Sequence, residues 1–294
     1  MVSESHREQV IGIGCALAVV ILWSSFLLLS RYGAAGTLTP FDLAGLRFGV
    51  SGMIMLPLLI RNGFGGLRPG QVIAVTLSAG PAFALLAYGG FSLAPTAHGG
   101  VLITGMGPFF TTFFAVFMIK ERLGHTRIIS LLVILCGVGL MARESLAFTT
   151  SDQMWGDMLF LGASISWSAY TVFARAWRVT PFQATAIVAV LSMIAYLPVY
   201  LTFLPSNLFI APMGEVFLQG VFQGFLSVIV ALLAFTRAVA ALGPVVTAMM
   251  TSVVPGIAAL AAIPLLNEPL SAVAGVGITF VTLGMIGGVL SMRK

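Results

Sequence analysis

The chain alternates apolar stretches of about 20 residues with short polar breaks. A helix rising about 1.5 Å per residue needs roughly that length to cross a hydrocarbon core of about 30 Å. The pattern predicts ten helical spans, at about 10–30, 41–60, 71–92, 97–119, 127–142, 156–175, 182–204, 215–236, 244–266 and 271–291. Stretches such as Val10 to Ser30 do not alternate polar and apolar residues as the strands of a membrane barrel do. The longest gaps, Arg143 to Trp155 and Pro205 to Gly214, leave no room for a separate folded domain. The expected fold is an all-α, multi-pass membrane protein whose work is done inside the bilayer or at its two faces.

Composition sharpens this by exclusion. Of 294 residues, 59% are hydrophobic and 8% charged, and the mean hydropathy is +1.08. Soluble domains carry about 25% charged residues, so a soluble fold, a disordered chain and a disulfide scaffold are all excluded. Cys15 and Cys136 fall within spans, have no metal-ligand spacing, and read as small buried hydrophobes. The first span is longer than the apolar core of a signal peptide, and no small-x-small cleavage site follows, so it is expected to be retained.

Charge sets the expected orientation. Arg7, Arg61, Arg68, Lys120, Arg122, Arg127, Arg175, Arg178, Arg237, Arg293 and Lys294 fall on the side holding both termini. Only Arg31, Arg47 and Arg143 fall toward the other side. Short cytoplasmic loops carry the excess of Lys and Arg, so both termini are expected in the cytoplasm. With a bacterial source, the location is the inner membrane. The net charge of +5 is thereby explained by topology, and without a basic patch interleaved with aromatics no nucleic-acid partner is implied.

The two halves of the chain, 1–147 and 148–294, resemble each other. Trp23-Ser24 with Arg31 matches Trp167-Ser168 with Arg175, and Pro40 and Pro57 match Pro181 and Pro198. Leu85-Leu86-Ala87-Tyr88 matches Leu232-Leu233-Ala234-Phe235. Pro108 followed by Glu121-Arg122-Leu123 matches Pro255 followed by Glu268-Pro269-Leu270. With five spans in each half, the second half must enter the membrane the other way up, an inverted repeat. Such repeats build transporters whose site lies near the midplane between the halves.

These residues carry a family resemblance. The five-plus-five inverted repeat, the Trp-Ser pair opening each half, Arg47 within Leu46-Arg47-Phe48 and the two Pro-x12-Glu-x-Leu blocks resemble the EamA-type branch of the drug/metabolite transporter superfamily. The resemblance covers essentially the whole chain. It implies export of metabolites or drugs, and within the branch the sequence looks most like bacterial exporters of aromatic amino acids.

Candidate functional residues follow from depth and symmetry. Pro108 and Pro255 each precede a glutamate by thirteen residues, about 20 Å of helix, and would bend their helices near midplane by freeing the carbonyls of Thr104 and Thr251. Gly105, with Met106 and Gly107 beside it, adds freedom at the first bend, which reads either as a hinge lining a cavity or as a packing kink. Trp23 and Trp167, with Tyr170, Phe83, Tyr88 and Phe235, could form an aromatic surface for a solute, or could pack helices. Arg47 and His98 have apolar counterparts, Val188 and Val245, in the other half. Arg47 is expected to pair with Asp42, Glu144 or Asp152; alternatively it or His98 meets a substrate carboxylate. Glu121 and Glu268 are expected to cap helices or pair with nearby arginines, or else to form gating ion pairs.

No Asp or Glu lies near the middle of any span, no phosphate-binding loop is present, and no cofactor motif appears. Facilitated movement down a gradient is expected, with coupling through His98 as the alternative. An enzyme would need a nucleophile with its base, or metal ligands, and a channel would need rings of charge or filter carbonyls. The reading is a transporter, not an enzyme, exporting small amphiphilic metabolites, with aromatic amino acids as first substrate and a broad drug, metabolite or nucleobase-type exporter as the alternative. One chain holds a complete site, so a monomer is the expected working unit.

Overall fold

The structure, a computed structural model, describes residues 4–34, 36–94, 96–145, 150–266 and 272–290. Among these, every regular element is helical. α1 runs Glu4–Ala34, α2 Pro40–Asn62, α3 Pro69–Ala79, α4 Pro81–Leu93 and α5 Thr96–Gly99. A π-helical stretch, Gly100–Gly105, leads into α6 (Gly107–Ile119), and α7 (His125–Ser145) follows. The rest comprises α8 (Ser151–Ala176), α9 (Pro181–Phe203), α10 (Met213–Gln219), a second π-helical stretch (Gly220–Val230), α11 (Ala231–Leu242), α12 (Pro244–Thr251), α13 (Val254–Leu266) and α14 (Ala272–Leu290).

Local chemistry sets the helix starts. Thr39 and Thr180 each form a capping box with the residue three positions on, Asp42 and Gln183 respectively, and each is followed by a proline in the first turn. Thr150 caps α8 in the same way with Gln153. Among the described residues, eight helices or joined helix pairs are long and apolar enough to cross a membrane. α8 and α14 are not among them. The serines of α8, together with Tyr170 and Thr171, lower its apolarity, and the described apolar run of the last helix covers only Gly275–Leu290.

Several expected spans are interrupted. The stretch read as one helix over 71–92 breaks between α3 and α4, because Pro81 has no N–H to continue the ladder. Pro108 and Pro255 do not bend continuous helices; each sits in the first turn of a new one, α6 and α13, where the missing N–H costs nothing. The break ahead of Pro108 is a π-helical stretch, in which the Met106 N–H donates to the Val101 carbonyl at 3.2 Å. Cys136 is exposed on α7 and Cys15 half-buried, so neither is the fully buried hydrophobe the sequence suggested.

Packing is reciprocal between the halves. α1 lies against α11 and α13, while α8 lies against α4 and α6; α2 pairs with α9, and α7 with α14. The last pair is close: a Cβ on Gly137 would come within 2.6 Å of the Gly277 carbonyl oxygen. Small residues at such crossings let membrane helices approach backbone to backbone. On the outside, Ile21, Ile60, Phe117 and Leu201 are 64–76% exposed, a rim suited to lipid rather than water.

The two ends of the bundle are held differently. Where α1 begins, Glu8 pairs with Arg237 at 2.6 Å. At the far end, two buried or half-buried carboxylates tie the chain around residues 37–42 to the segment 205–215. Glu215 accepts from the Thr37 and Leu38 N–H groups at 3.0 and 3.2 Å. Asp42 accepts from Ser206 Oγ at 2.6 Å, from Asn207 N at 2.9 Å and from the Tyr200 hydroxyl.

Candidate substrate cavity

Where the helices break, polar backbone would be left unpaired inside an apolar bundle, and α8 supplies the donors. Ser164 Oγ donates to the Ile103 carbonyl at 2.7 Å, and Ser168 Oγ donates to the Gly107 carbonyl at 3.3 Å. Ser24, the partner of Ser168 in the first half, donates to Val254 at 3.3 Å, sharing its proton with Val20 at 2.8 Å. Gly107 and Val254 are the residues immediately before Pro108 and Pro255. The Trp-Ser pair and the proline pair are therefore one device, in which each serine ties down the backbone ahead of the opposite half's proline.

Beside these breaks lies a cavity of about 50 Å³. That is room for a few waters, well below the roughly 300–1,000 Å³ of a site enclosing a small organic molecule. Its aromatic wall is continuous. The Trp167 centroid lies 5.2 Å from Trp23, 4.9 Å from Phe83 and 5.2 Å from Phe235. α8 presents Ser164, Trp167, Ser168 and Thr171 along one face, and Thr104, Thr111, Ser227 and Thr251 add hydroxyls from other helices. Trp167 Nε1 is buried without a hydrogen-bond partner.

Among the described residues that line it, Arg47 is the cation. It is 5% exposed, Nη1 donates to Ser227 Oγ at 3.1 Å, and Nε has no partner. Its guanidinium lies 6.0 and 5.9 Å from the centres of the Phe26 and Phe83 rings. The expected ion pair with Asp42 is absent: the Asp42 carboxylate is taken up by Thr39, Tyr200, Ser206 and Asn207 at the far end. Asp152 is exposed at the start of α8 and makes no ion pair with Arg47 either.

Of the other residues singled out from sequence, Trp23, Phe83, Thr104, Trp167, Phe235 and Thr251 line the cavity together with Arg47. Tyr88 is buried outside it, where its hydroxyl donates to Gln223 Oε1 at 3.0 Å and neighbours the Arg47 guanidinium. Tyr170 stands behind Trp167, bonded to Thr236. Gly105 packs against Val138, and Met106 forms the junction before α6. His98 sits at the far end, its Nδ1 2.8 Å from Asp157 Oδ1, so its contact is with the protein's own carboxylate. Glu121 pairs with Arg127 at 2.6 Å. Glu268 and the side chain of Glu144, the third expected partner of Arg47, lie outside what the structure describes. Sequence reasoning missed Phe26, Ser164, Ser168, Thr171 and Ser227; the i, i+3, i+4, i+7 spacing of the α8 group was the available signal.

A larger vestibule of about 610 Å³ continues along α8 and α11 toward the end where α1 begins. Arg175 and Arg178 line it together with Thr180 and Thr236. Cavity and vestibule follow each other along the same two helices: Thr171 and Phe235 line the first, Ala174 and Thr236 the second.

A helical membrane bundle with a polar and aromatic chamber at its helix breaks is the architecture of a carrier for small molecules. The profile of the EamA-like transporter family matches residues 10–143 and again residues 154–289, and the chain belongs to that family. It is a membrane transporter of small metabolites rather than an enzyme. An uncharacterized transporter of Bacillus subtilis (strain 168), YyaM, is 24% identical over 277 residues, covering 90% of each chain. A protein solved by crystallography shares the fold at 20% identity, with a TM-score of 0.72 over 98% of both chains.

Proposed function

We propose that this transporter exports small amphiphilic metabolites, aromatic amino acids first among them, by exposing the cavity at the helix breaks to either side in turn. In this reading the chain makes ten crossings, as two inverted halves of five (1–147 and 148–294), with both termini cytoplasmic in a bacterial inner membrane and a monomer as the working unit. The observation that carries it is the aromatic enclosure of Trp23, Phe83, Trp167 and Phe235 directly beside paired helix breaks. The reciprocal packing of α1 on α11 and α8 on α4 supports the two-fold relation. The carboxylate-tied far end and the vestibule at the other end suit a state closed to the outside, with the cavity contracted.

The test is flux through purified protein in liposomes loaded with labelled phenylalanine or tryptophan. Saturable efflux, competed by unlabelled analogues, is expected. No flux with any aromatic amino acid would overturn the substrate assignment and direct the search to drugs, nucleobases and other metabolites.

A further inference from the structure

We propose that the cavity selects for a carboxylate on its aromatic substrate, that Arg47 receives it, and that the substrate class therefore widens from aromatic amino acids to aromatic monocarboxylates, an acid without the ammonium binding more tightly than the amino acid. The inference rests on the transport reading above for the cavity's role.

The first ground is an uncompensated charge. Arginine stays protonated at any physiological pH, and a buried cation in a membrane interior is costly unless something balances it. Among the described residues no carboxylate forms an ion pair with Arg47, and the groups its guanidinium meets are neutral hydroxyls, those of Ser227 and Tyr88. Nε is a second donor with nothing to donate to.

The second ground is convergence. Trp167 Nε1, also buried and without a partner, belongs to the same cavity wall. Orphaned donors of this kind cost free energy until an acceptor arrives, and a carboxylate accepts several hydrogen bonds at once. The flanking rings of Phe83 and Trp23 offer the apolar body of the ligand a surface.

The third ground is that the scaffold does not need the cation. The equivalent position in the second half is Val188, fully packed at 1% exposure. A residue serving only to join helices there works as an aliphatic. The fourth is what the wall lacks: among the described residues no Asp or Glu lines the cavity, so a substrate ammonium would meet no counter-charge there and would stand near Arg47. A zwitterionic amino acid is thus accepted less well than the same molecule without its amine.

Binding to purified full-length protein, followed by calorimetry or tryptophan fluorescence, tests this with 3-phenylpropionate, phenylalanine and 3-phenylpropionamide. The acid is expected to bind about tenfold tighter than the amide, with phenylalanine between them. Arg47→Gln should abolish the preference, and Arg47→Lys should retain part of it. Should Arg47→Gln fail to fold, Arg47→Lys and Ser227→Ala carry the test, each expected to narrow the difference between acid and amide. Equal binding of acid and amide, no binding of either, or discrimination untouched in these variants would overturn the proposal. Acid-selective binding without any flux would support this site and sink the carrier reading. Flux of amide and acid at equal rates would do the reverse.

Discussion

Ser168 of α8 donates its hydroxyl proton to the carbonyl of Gly107, the residue that immediately precedes Pro108. Ser24 bears the same relation to Val254 and Pro255. Ser164→Ala, which removes the shorter 2.7 Å bond to Ile103, should destabilise the protein by about 1 kcal/mol, and Ser168→Ala by about half that. Thermal melting in detergent checks the order, and equal losses would show that bond length does not rank these contacts.

Trp167 touches Trp23, Phe83, Tyr170 and Phe235, so truncation to alanine would remove packing along with any contact to substrate. A core Trp→Ala change costs about 3–5 kcal/mol. Trp167→Phe is the cleaner variant: flux in liposomes is expected to fall several-fold while melting temperature drops only slightly. Unchanged flux would remove the aromatic wall from the substrate path.

Asp42 accepts hydrogen bonds from the Thr39 backbone, from the hydroxyls of Thr39, Tyr200 and Ser206, and from the Asn207 backbone. An asparagine offers one acceptor oxygen in place of two, leaving some of these donors unmatched. Asp42→Asn should therefore destabilise by about 2 kcal/mol and loosen the far end. A cysteine placed at Leu208 should react faster with a water-soluble thiol reagent in that variant than in its absence. Equal labelling rates would mean that this network does not hold the end closed.

His98 and Asp157 join α5 to α8 at 2.8 Å, and the pair is buried on the histidine side. His98→Ala leaves Asp157 without this contact, so melting temperature should fall. Downhill efflux, by contrast, should be the same with and without a pH gradient, in the wild type and in the variant, if transport is facilitated. Efflux that rises with an imposed proton gradient and loses that response in His98→Ala would make this pair the coupling site.

Gly137 and Gly277 set the distance between α7 and α14. Gly137→Leu would drive a side chain into backbone, so the helices must part and the bundle should lose thermal stability or fail to insert. A variant as stable as the wild type would show that the crossing has room to spare.

The helical membrane class was legible because bilayer thickness acts locally, imposing an apolar run on any helix that crosses it. The matched pairs Trp23 with Trp167 and Pro108 with Pro255 were legible for a similar reason, since their matched order and spacing can be read along the chain. The breaks were harder. Gly80-Pro81 and the glycines around Met106 look in the sequence like tolerated irregularities, and only their hydrogen bonding reveals separate helices and π-helical stretches. Asp42 and Arg47 misled because one helix carries both within five residues, while Asp42 is taken up by its own helix cap and by the segment 200–207, and Arg47 finds Ser227 on another element.

By itself, then, the sequence determined the solvent this protein lives in, the rough limits of its helices and two stretches, 10–143 and 154–289, that match one family profile. The tertiary structure decided the partners. Arg47 meets Ser227 from 180 residues away, Asp42 meets Tyr200 from 158, and His98 meets Asp157 from 59. Hydropathy is a property of a run of neighbours and survives in one dimension. Which faces of packed helices touch depends on rotation and crossing angle, and these are set by the shapes of all the side chains between them at once.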